Sequence, residues 1–303
     1  MIPSAVADLI RQMAEDRTSG AVELTRKGAE ALLLLADQTT AQDTSQLLSE
    51  LLSTGRELIK AQSSMAPLFN LVSAVVSGLE TAKDVGEARR TLEATARRFS
   101  ADLGVRRDKV ALEALSLFSD GLTLLTHSRS STVLGALLLA KERGRSFKVL
   151  CTESRPLYEG RELARELAEQ DIETTLITDS AAAHFMSKID LVIVGADSVS
   201  AGGLVNKIGT YGLALAAAAQ GVPFYALSGT EKFLPADYPH MEIELKNSQE
   251  LWEDHPPTVT VLNYYFDVTP LEYVSGLVTE NGLLGHADVE RMVGQLETHE
   301  LLR

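Results

Sequence analysis

The sequence predicts an α/β protein in which an N-terminal all-helical domain precedes a Rossmann-like domain built on a doubly wound, mainly parallel sheet. Two observations predict this class. Apolar residues recur at helical spacing over the first hundred residues, and beyond Gly121 short β-rich apolar runs alternate with helix-length segments. The chain of 303 residues is long enough for two domains. We expect them at residues 1 to 105 and 106 to 303, joined without a flexible linker.

The helical domain is predicted from leucines that recur between polar residues, as in the run from 47 to 59. Further helices are predicted at 67–79, 85–99 and 109–118, because short Gly, Ser or Lys-Asp breaks separate them. The last of these helices is expected to lead into the sheet.

The second domain should contain five buried parallel strands with helices between them. The predicted strands are 122–127, 147–152, 173–178, 191–195 and 224–227, and the predicted helices are 131–143, 161–170, 181–187 and 208–220. Strands that are apolar throughout and alternate with helices are typical of a parallel sheet covered on both faces. Ligands of such sheets bind beyond the carboxyl ends of the strands, where the strand order reverses. Polar residues that follow the strands are therefore the candidate site.

The first polar cluster is Ser-Arg-Ser-Ser-Thr at 128–132, between a predicted strand and helix. Its hydroxyls and free amides are suited to hold a phosphate at a helix N-terminus. A plain N-cap explains the same residues equally well. No GxGxxG or Walker sequence is present, so NAD and ATP are not expected, and neither is any other cofactor.

Asp197 follows the apolar run LVIVGA and should lie at the mouth of the sheet. Burial there would raise its pKa, so that the carboxyl could act as a general acid toward a sugar oxygen; the alternative is an aspartate that caps a turn. Asn206 and Lys207 precede the helix predicted to begin at 208, where a cation opposes the helix dipole unless it faces an anionic ligand. Lys232 follows a strand in the same way, although either lysine could simply be solvated.

Other chemically capable side chains have simpler interpretations. Arg155 could bind phosphate bidentately or merely pair with Glu153. His127 and His184 are more often hydrogen-bonded structural groups, and Cys151 lies inside an apolar strand. Because Cys151 is the one cysteine and no Cys/His cluster has zinc-ligand spacing, no disulfide and no metal are expected.

The overall charge excludes one class of partner. The formal net charge of -14 makes direct binding to a nucleic-acid backbone unfavourable. The N-terminus has no signal-peptide core, and the apolar runs are too short to span a bilayer. We expect a cytoplasmic protein without a membrane or nucleic-acid partner.

Several spaced blocks from about residue 120 to the end resemble one superfamily, and the likeness is traceable in the helical half. The blocks are TESRP (152–156), Gly160, VIVGADS (192–198), NKIGTY (206–211), FDVTPLE (266–272) and TENG (279–282). They are similar to those of methylthioribose-1-phosphate isomerase, archaeal ribose-1,5-bisphosphate isomerase and the alpha, beta and delta subunits of initiation factor 2B. The resemblance implies a Rossmann-like fold, a phosphorylated sugar as ligand, and a homodimer or larger assembly through the Rossmann half.

The resemblance also assigns roles to residues. It makes Asp197 the proton donor and places three groups of residues on the sugar phosphate. These are Asn206, Lys207 and Lys232; the loop Arg17, Ser19, Gly20 and Ala21; and the helix cap Ser130, Ser131 and Thr132.

Three departures leave two functions open. Where the isomerases carry a catalytic cysteine this chain has Ser128, an arginine expected near Gln62 is absent, and Glu159 replaces a glutamine before Gly160. A serine hydroxyl is a far weaker acid than a thiol, so Ser128 cannot simply take over proton abstraction. One function is an aldose-ketose isomerase acting on a phosphorylated ribose of the ribose-1,5-bisphosphate or methylthioribose-1-phosphate type. The other is a non-catalytic, sugar-phosphate-binding regulatory protein resembling the initiation factor 2B alpha subunit.

Overall fold

The N-terminal part of the chain is all-helical, as expected. A computed structural model describes residues 2–238 and 243–303. Within those ranges no helix is both long and apolar enough to cross a membrane. The first five helices are α1 (Ser4–Glu15), α2 (Ala21–Gln38), α3 (Thr44–Ala61), α4 (Ala66–Leu79) and α5 (Val85–Ala114). Their apolar faces enclose one core, to which α1 contributes Met13, α3 contributes Leu51 and α4 contributes Val72.

Helix α5 corrects one prediction, because it runs without a break through the interval 100–108 that separated two predicted helices. The charged residues of that interval are compatible with an exposed helix face, and the single Gly104 costs only about 1 kcal/mol relative to alanine. Leu92 near one end of α5 lies in the core of the helical region, and Val110 near the other end lies in the core beside the sheet. The helix therefore passes through residue 105, and the division into two domains there stays a prediction.

The second part of the chain has the expected doubly wound architecture, with helices α6 (Ser131–Glu142), α7 (Glu159–Glu169), α8 (Ala182–Phe185), α9 (Thr210–Gln220) and α10 (His286–Gln295). The strands are β1 (Leu122–Thr126), β2 (Phe147–Thr152), β3 (Glu173–Ile177), β4 (Leu191–Val194), β5 (Ser198–Ser200), β6 (Gly203–Lys207), β7 (Phe224–Leu227), β8 (Leu245–Lys246), β9 (Asn263–Tyr264), β10 (Phe266–Thr269), β11 (Gly276–Thr279) and β12 (Gly282–Leu284). The main sheet has the order β12-β11-β7-β4-β1-β2-β3 and is parallel except for β12. The predicted fold class is confirmed.

Two details differ from the predictions. Strand β3 is not buried throughout, because it forms the edge of the sheet and leaves Leu176 exposed. Helix α9 begins at Thr210 rather than 208, because Lys207 is the last residue of β6 and Gly209 adopts a left-handed φ of 105°. Lys207 therefore ends a strand of the small antiparallel sheet β10-β6-β5 and does not begin a helix.

The strand order reverses between β1 and β4, which pair in parallel. From this pair the chain winds outward in both directions, so the loops after β1 and β4 separate and leave a crevice. The two loops touch at one point, since a Cβ added to Gly195 would lie 2.6 Å from Ser130 Oγ. A side chain at 195 would therefore collide with Ser130.

Candidate functional site

A pocket of about 280 Å³ opens at this switch point, between the carboxyl edge of the sheet and the N-terminal helices. It brings together residues that are far apart in the sequence. The predicted site residues on its wall are Arg17, Ser19, Gly20, Ala21, Ser128, Ser130, Ser131, Asp197, Asn206, Lys207 and Lys232. The position of the pocket agrees with the expectation that polar residues after the strands meet there.

Two predicted residues, Thr132 and Arg155, are not on the pocket wall. Thr132 is buried within α6. The Arg155 guanidinium donates to the Tyr158 hydroxyl and, at 3.1 Å, to the Leu251 carbonyl oxygen, so it faces away from the pocket. Its alternative partner Glu153 pairs instead with Arg161 at 2.7 Å. The geometry gives Thr132 and Arg155 no direct contact with a ligand in the pocket.

The loop after β1 places serine hydroxyls and helix amides at the pocket wall. Ser128 has a left-handed φ of 67°, and its amide donates to Ser154 Oγ at 2.7 Å. Ser130 caps α6 by accepting a hydrogen bond from the Val133 amide at 3.4 Å. Ser130 therefore acts as the N-cap of α6. Because the other first-turn amides of a helix lack partners in the same helix, this end of α6 also remains suited to an anion.

Asp197 is half-buried, held by its backbone and open to the pocket on one side. Its amide donates to the Val205 carbonyl at 2.9 Å, and its carbonyl accepts from the Ala66 amide at 3.2 Å. Burial raises the pKa of the carboxyl above its ordinary value. The Lys232 and Lys207 ammonium groups lower the pKa of this carboxyl, but less than burial raises it. Asp197 thus holds its proton to a higher pH than a free aspartate does.

Lys232 lies buried near Asp197 on the pocket wall, and its ammonium donates to the Ala196 carbonyl at 2.5 Å. The turn that carries it is fixed from two sides. Asn70 of α4 donates to the carbonyl oxygens of Glu231 and Phe233 at 2.7 and 2.8 Å, and the Thr230 amide donates to Glu280 at 2.9 Å. The helical region therefore positions a lysine of the sheet region.

Lys207 and Glu159 form a second charged centre on the pocket wall. Lys207 Nζ lies 2.5 Å from Glu159 Oε1, and their side chains are 6% and 12% exposed. The ammonium also stands 5.0 Å from the Tyr265 ring centroid. Asn206 beside it donates to Thr210 Oγ1 at 3.0 Å. The sequence singled out the lysine, whereas its pairing with Glu159 depends on the fold.

The loop before α2 supplies the opposite wall. Burial acts to raise the pKa of Asp16, but hydrogen bonds from Lys27 and from the Ser19 and Thr18 amides outweigh it and lower that pKa to about 2. Arg17 pairs with Glu250 at 2.7 Å and remains half exposed. This loop is held in place before any ligand arrives.

Gln62 supports the same loop. Its side-chain amide donates to the carbonyl oxygens of Met13 and Asp16 at 2.7 and 3.2 Å. The residue near the position where the resemblance implies an arginine therefore stabilises the backbone of the pocket wall and adds no charge to it.

His127 and Cys151 are structural, as expected. The His127 ring donates through Nε2 to the Ile208 carbonyl at 2.8 Å, and Nδ1 lies 2.6 Å from the Thr152 hydroxyl. Burial lowers the pKa of His127, which keeps the ring neutral. Cys151 is in the core, where burial raises its pKa to about 12. Neither group supplies a base to the pocket.

The pocket residues Lys246, Glu250 and Tyr265 were not predicted from the sequence. They come from the segment that contains β8 and β9, which has no strong periodicity, so no local signal could have identified them. In the described ranges no group of three or more His, Cys, Asp and Glu side chains is arranged to hold a metal ion.

Comparisons with known proteins agree with the fold. Residues 17–286 match the model of the initiation factor 2 subunit family. A Pyrococcus horikoshii protein called putative translation initiation factor eIF-2B subunit 2-like is 38% identical over 289 residues, which cover 94% of this chain and 98% of that protein. The ribose 1,5-bisphosphate isomerase of Methanocaldococcus jannaschii is 34% identical, covering 88% of this chain and 86% of the isomerase. A crystal structure of Pyrococcus horikoshii translation initiation factor eIF-2B has a TM-score of 0.82 at 37% identity, over 93% and 97% of the two chains.

Proposed function

The chain belongs to the initiation factor 2 subunit family, and from that membership and the pocket we propose that it is an aldose-ketose isomerase of a phosphorylated ribose-like sugar. Relatives that cover most of the chain include several called ribose 1,5-bisphosphate isomerase, at 30 to 34% identity. The observation that carries the proposal is the Asp197 carboxyl. Its raised pKa and its position beside two lysines suit it to donate a proton to an anionic sugar.

The chemistry requires such a proton donor. A sugar phosphorylated at its anomeric carbon has no free anomeric hydroxyl, so its ring opens when the ring oxygen is protonated as the bond to carbon 1 breaks. Asp197 is proposed to supply that proton to the ring oxygen. The hydrogen on carbon 2 then moves with its electron pair to the electron-deficient carbon 1, and Asp197 takes back the proton of the carbon 2 hydroxyl as the ketone forms. One carboxyl thus ends the cycle as it began.

The phosphate is proposed to lie between the α2 loop and the start of α6. Arg17, Ser130 and Ser131 line that part of the pocket, and the amides of two helix N-termini favour an anion there. Lys207 and Lys232 then face the sugar. In this arrangement the predicted binding residues surround the ligand, with one group at the phosphate and the two lysines at the sugar.

A specific observation favours a second function, a sugar-phosphate-binding regulatory protein without turnover. Ser128 stands where the isomerases carry a catalytic cysteine, and the buried Cys151 thiol cannot replace it. The three relatives called putative eIF-2B subunit 2-like are 33 to 38% identical to the chain. A pocket that binds a sugar phosphate and does not convert it would fit this function.

The test is to incubate the pure protein with ribose 1-phosphate, ribose 1,5-bisphosphate and hexose phosphates. Phosphorus NMR then follows binding and conversion separately. We expect line broadening or shifts for at least one pentose phosphate, followed by a new ketose phosphate signal. Binding without conversion would support the regulatory function, and no binding of any sugar phosphate would contradict both functions.

We also propose that the protein forms a homodimer or larger assembly through the sheet half. Six large apolar side chains are exposed within a short segment: Leu245, Leu251, Trp252, Val259, Leu262 and Val268. Large apolar side chains left exposed are typical of an interface when a partner covers them. Their position beside pocket residues Lys246 and Glu250 would put a partner next to the site.

Light scattering at micromolar concentration should therefore give at least twice the monomer mass. Replacing Trp252 and Leu262 together with glutamate should yield a monomer, because two charges would be buried in the interface. Leu112→Glu is the matched control, since Leu112 is about equally exposed but lies on α5, away from this segment. A wild-type monomer would contradict the proposal.

A further inference from the structure

The charged side chains of the pocket wall are balanced in number, five of each sign. The cations are Arg17, Arg129, Lys207, Lys232 and Lys246. The acidic residues are Glu15, Asp16, Glu159, Asp197 and Glu250. A sugar with two phosphates brings about four negative charges near neutral pH, since each phosphate has a second pKa near 6. The wall is better matched to one phosphate than to two.

The cations are also engaged before a ligand arrives. Arg17 pairs with Glu250 at 2.7 Å, and Arg129 pairs with Glu166 at 2.7 Å. Lys246 pairs with Glu244 at 2.7 Å. The pairs of Arg17 and Arg129 lie in the loops before α2 and α6, where a phosphate would replace a partly exposed ion pair and gain backbone amides.

Glu159 also lines the pocket, and one of its two carboxylate oxygens has no donor. It is the first residue of α7, and its Oε1 atom is held by Lys207 at 2.5 Å. Its Oε2 atom is buried and has no hydrogen-bond partner among the described residues. A buried acceptor without a donor is unfavourable, so a ligand that supplies an O–H group there gains affinity.

A phosphate cannot satisfy that oxygen in the same way. Near neutral pH a phosphate carries acceptor oxygens and negative charge, so it would face the carboxylate with a like charge in a poorly solvated place. Lys207 offsets part of that repulsion, but it is already shared with Glu159. A site built to accept a hydrogen bond from a hydroxyl discriminates strongly against a group that lacks the donor.

We propose that Glu159 determines substrate specificity: the pocket takes a sugar monophosphate whose free hydroxyl donates to Glu159, and it rejects a sugar with a second phosphate at that position. The inference rests on the proposed function in one respect, namely that the pocket binds a sugar phosphate. It applies equally to an enzyme and to a regulatory protein, since it concerns binding alone.

The experiment compares ribose 1-phosphate with ribose 1,5-bisphosphate by isothermal titration calorimetry. The wild type should bind the monophosphate at least about tenfold more tightly, which corresponds to about 1.4 kcal/mol. Glu159→Gln keeps the shape and one acceptor oxygen but removes the charge. It should shift the affinity ratio toward the bisphosphate by about tenfold or more, with the monophosphate affinity changed much less.

The matched control is Glu153→Gln. Glu153 lies on the same connection between β2 and α7, pairs with Arg161 at 2.7 Å, and is not on the pocket wall. Its substitution should leave the affinity ratio unchanged. Circular dichroism and thermal melting of both variants show that each is folded.

The outcomes separate the inference from the proposed function. Binding of both sugars with no preference, a wild-type preference for the bisphosphate, or an unchanged ratio in Glu159→Gln would overturn the inference and leave sugar-phosphate binding intact. Failure of the wild type to bind either sugar would overturn the proposed function, and the inference with it.

Discussion

Asp197→Asn should abolish turnover of the sugar phosphate while leaving its binding largely intact. The amide keeps the shape of the carboxyl but cannot donate a carboxyl proton, and a positioned general acid contributes about 10²- to 10⁴-fold to the rate. The turnover number should fall by a factor in that range, and the dissociation constant should change little. Phosphorus NMR measures both quantities on one sample. If wild type and Asp197→Asn both bind and neither converts the sugar, the regulatory function is favoured.

The pH dependence provides a second readout of the same residue. Because the pKa of Asp197 is raised in the folded protein, the proton needed for catalysis is present at low pH and is lost as the pH rises through that pKa. The same shift means that ionising Asp197 destabilises the folded state relative to the unfolded one. Protonated Asp197 therefore contributes to the free energy of unfolding in full below the unfolded-state pKa. That contribution is lost as the pH rises through the folded-state pKa. Asp197→Asn should lack this decline, and its melting temperature at neutral pH should be no lower than that of wild type.

Lys207→Ala should weaken sugar-phosphate binding about tenfold or more, because charge-assisted hydrogen bonds contribute roughly 1.5 to 3 kcal/mol each. It should also reduce the free energy of unfolding, because Glu159 then remains in the wall without its partner. Removing one member of a buried ion pair costs about 3 to 5 kcal/mol. Urea denaturation and calorimetry measure the two effects separately.

Two further variants distinguish binding from stability at this pair. The double substitution Lys207→Met with Glu159→Gln removes both charges, so it should recover most of the lost stability without recovering affinity. Lys148→Ala is the control, since Lys148 and Glu173 form an exposed pair that should contribute at most about 1 kcal/mol. Unchanged sugar-phosphate affinity in Lys207→Ala would remove Lys207 from the binding site.

Much of the fold was readable from the sequence because its signals are local. The apolar runs identified β1, β2, β3, β4 and β7, and alternation with helices identified the parallel sheet. Helical spacing identified α4 and most of α5, but it placed a break where charged residues follow one another. A helix that lies in two cores cannot be recognised from spacing alone, because each core is assembled from elements distant in the sequence.

The candidate site likewise combines residues that the sequence predicts with contacts that only the fold creates. The sequence by itself placed Asp197 and Ser130 at one edge of the sheet, since parallel strands end at the same edge and polar residues follow them. It singled out Lys207 as the residue before a helix, whereas the structure makes Lys207 the last residue of β6. Only the tertiary structure decided that Arg17 faces Glu250 and that Glu159 holds Lys207, leaving one carboxylate oxygen without a partner. Periodicity reports on residues one turn or one strand apart, whereas these pairs span from 48 to 233 positions of chain. Their charges meet because packing brings distant loops together, and packing is a property of the whole fold.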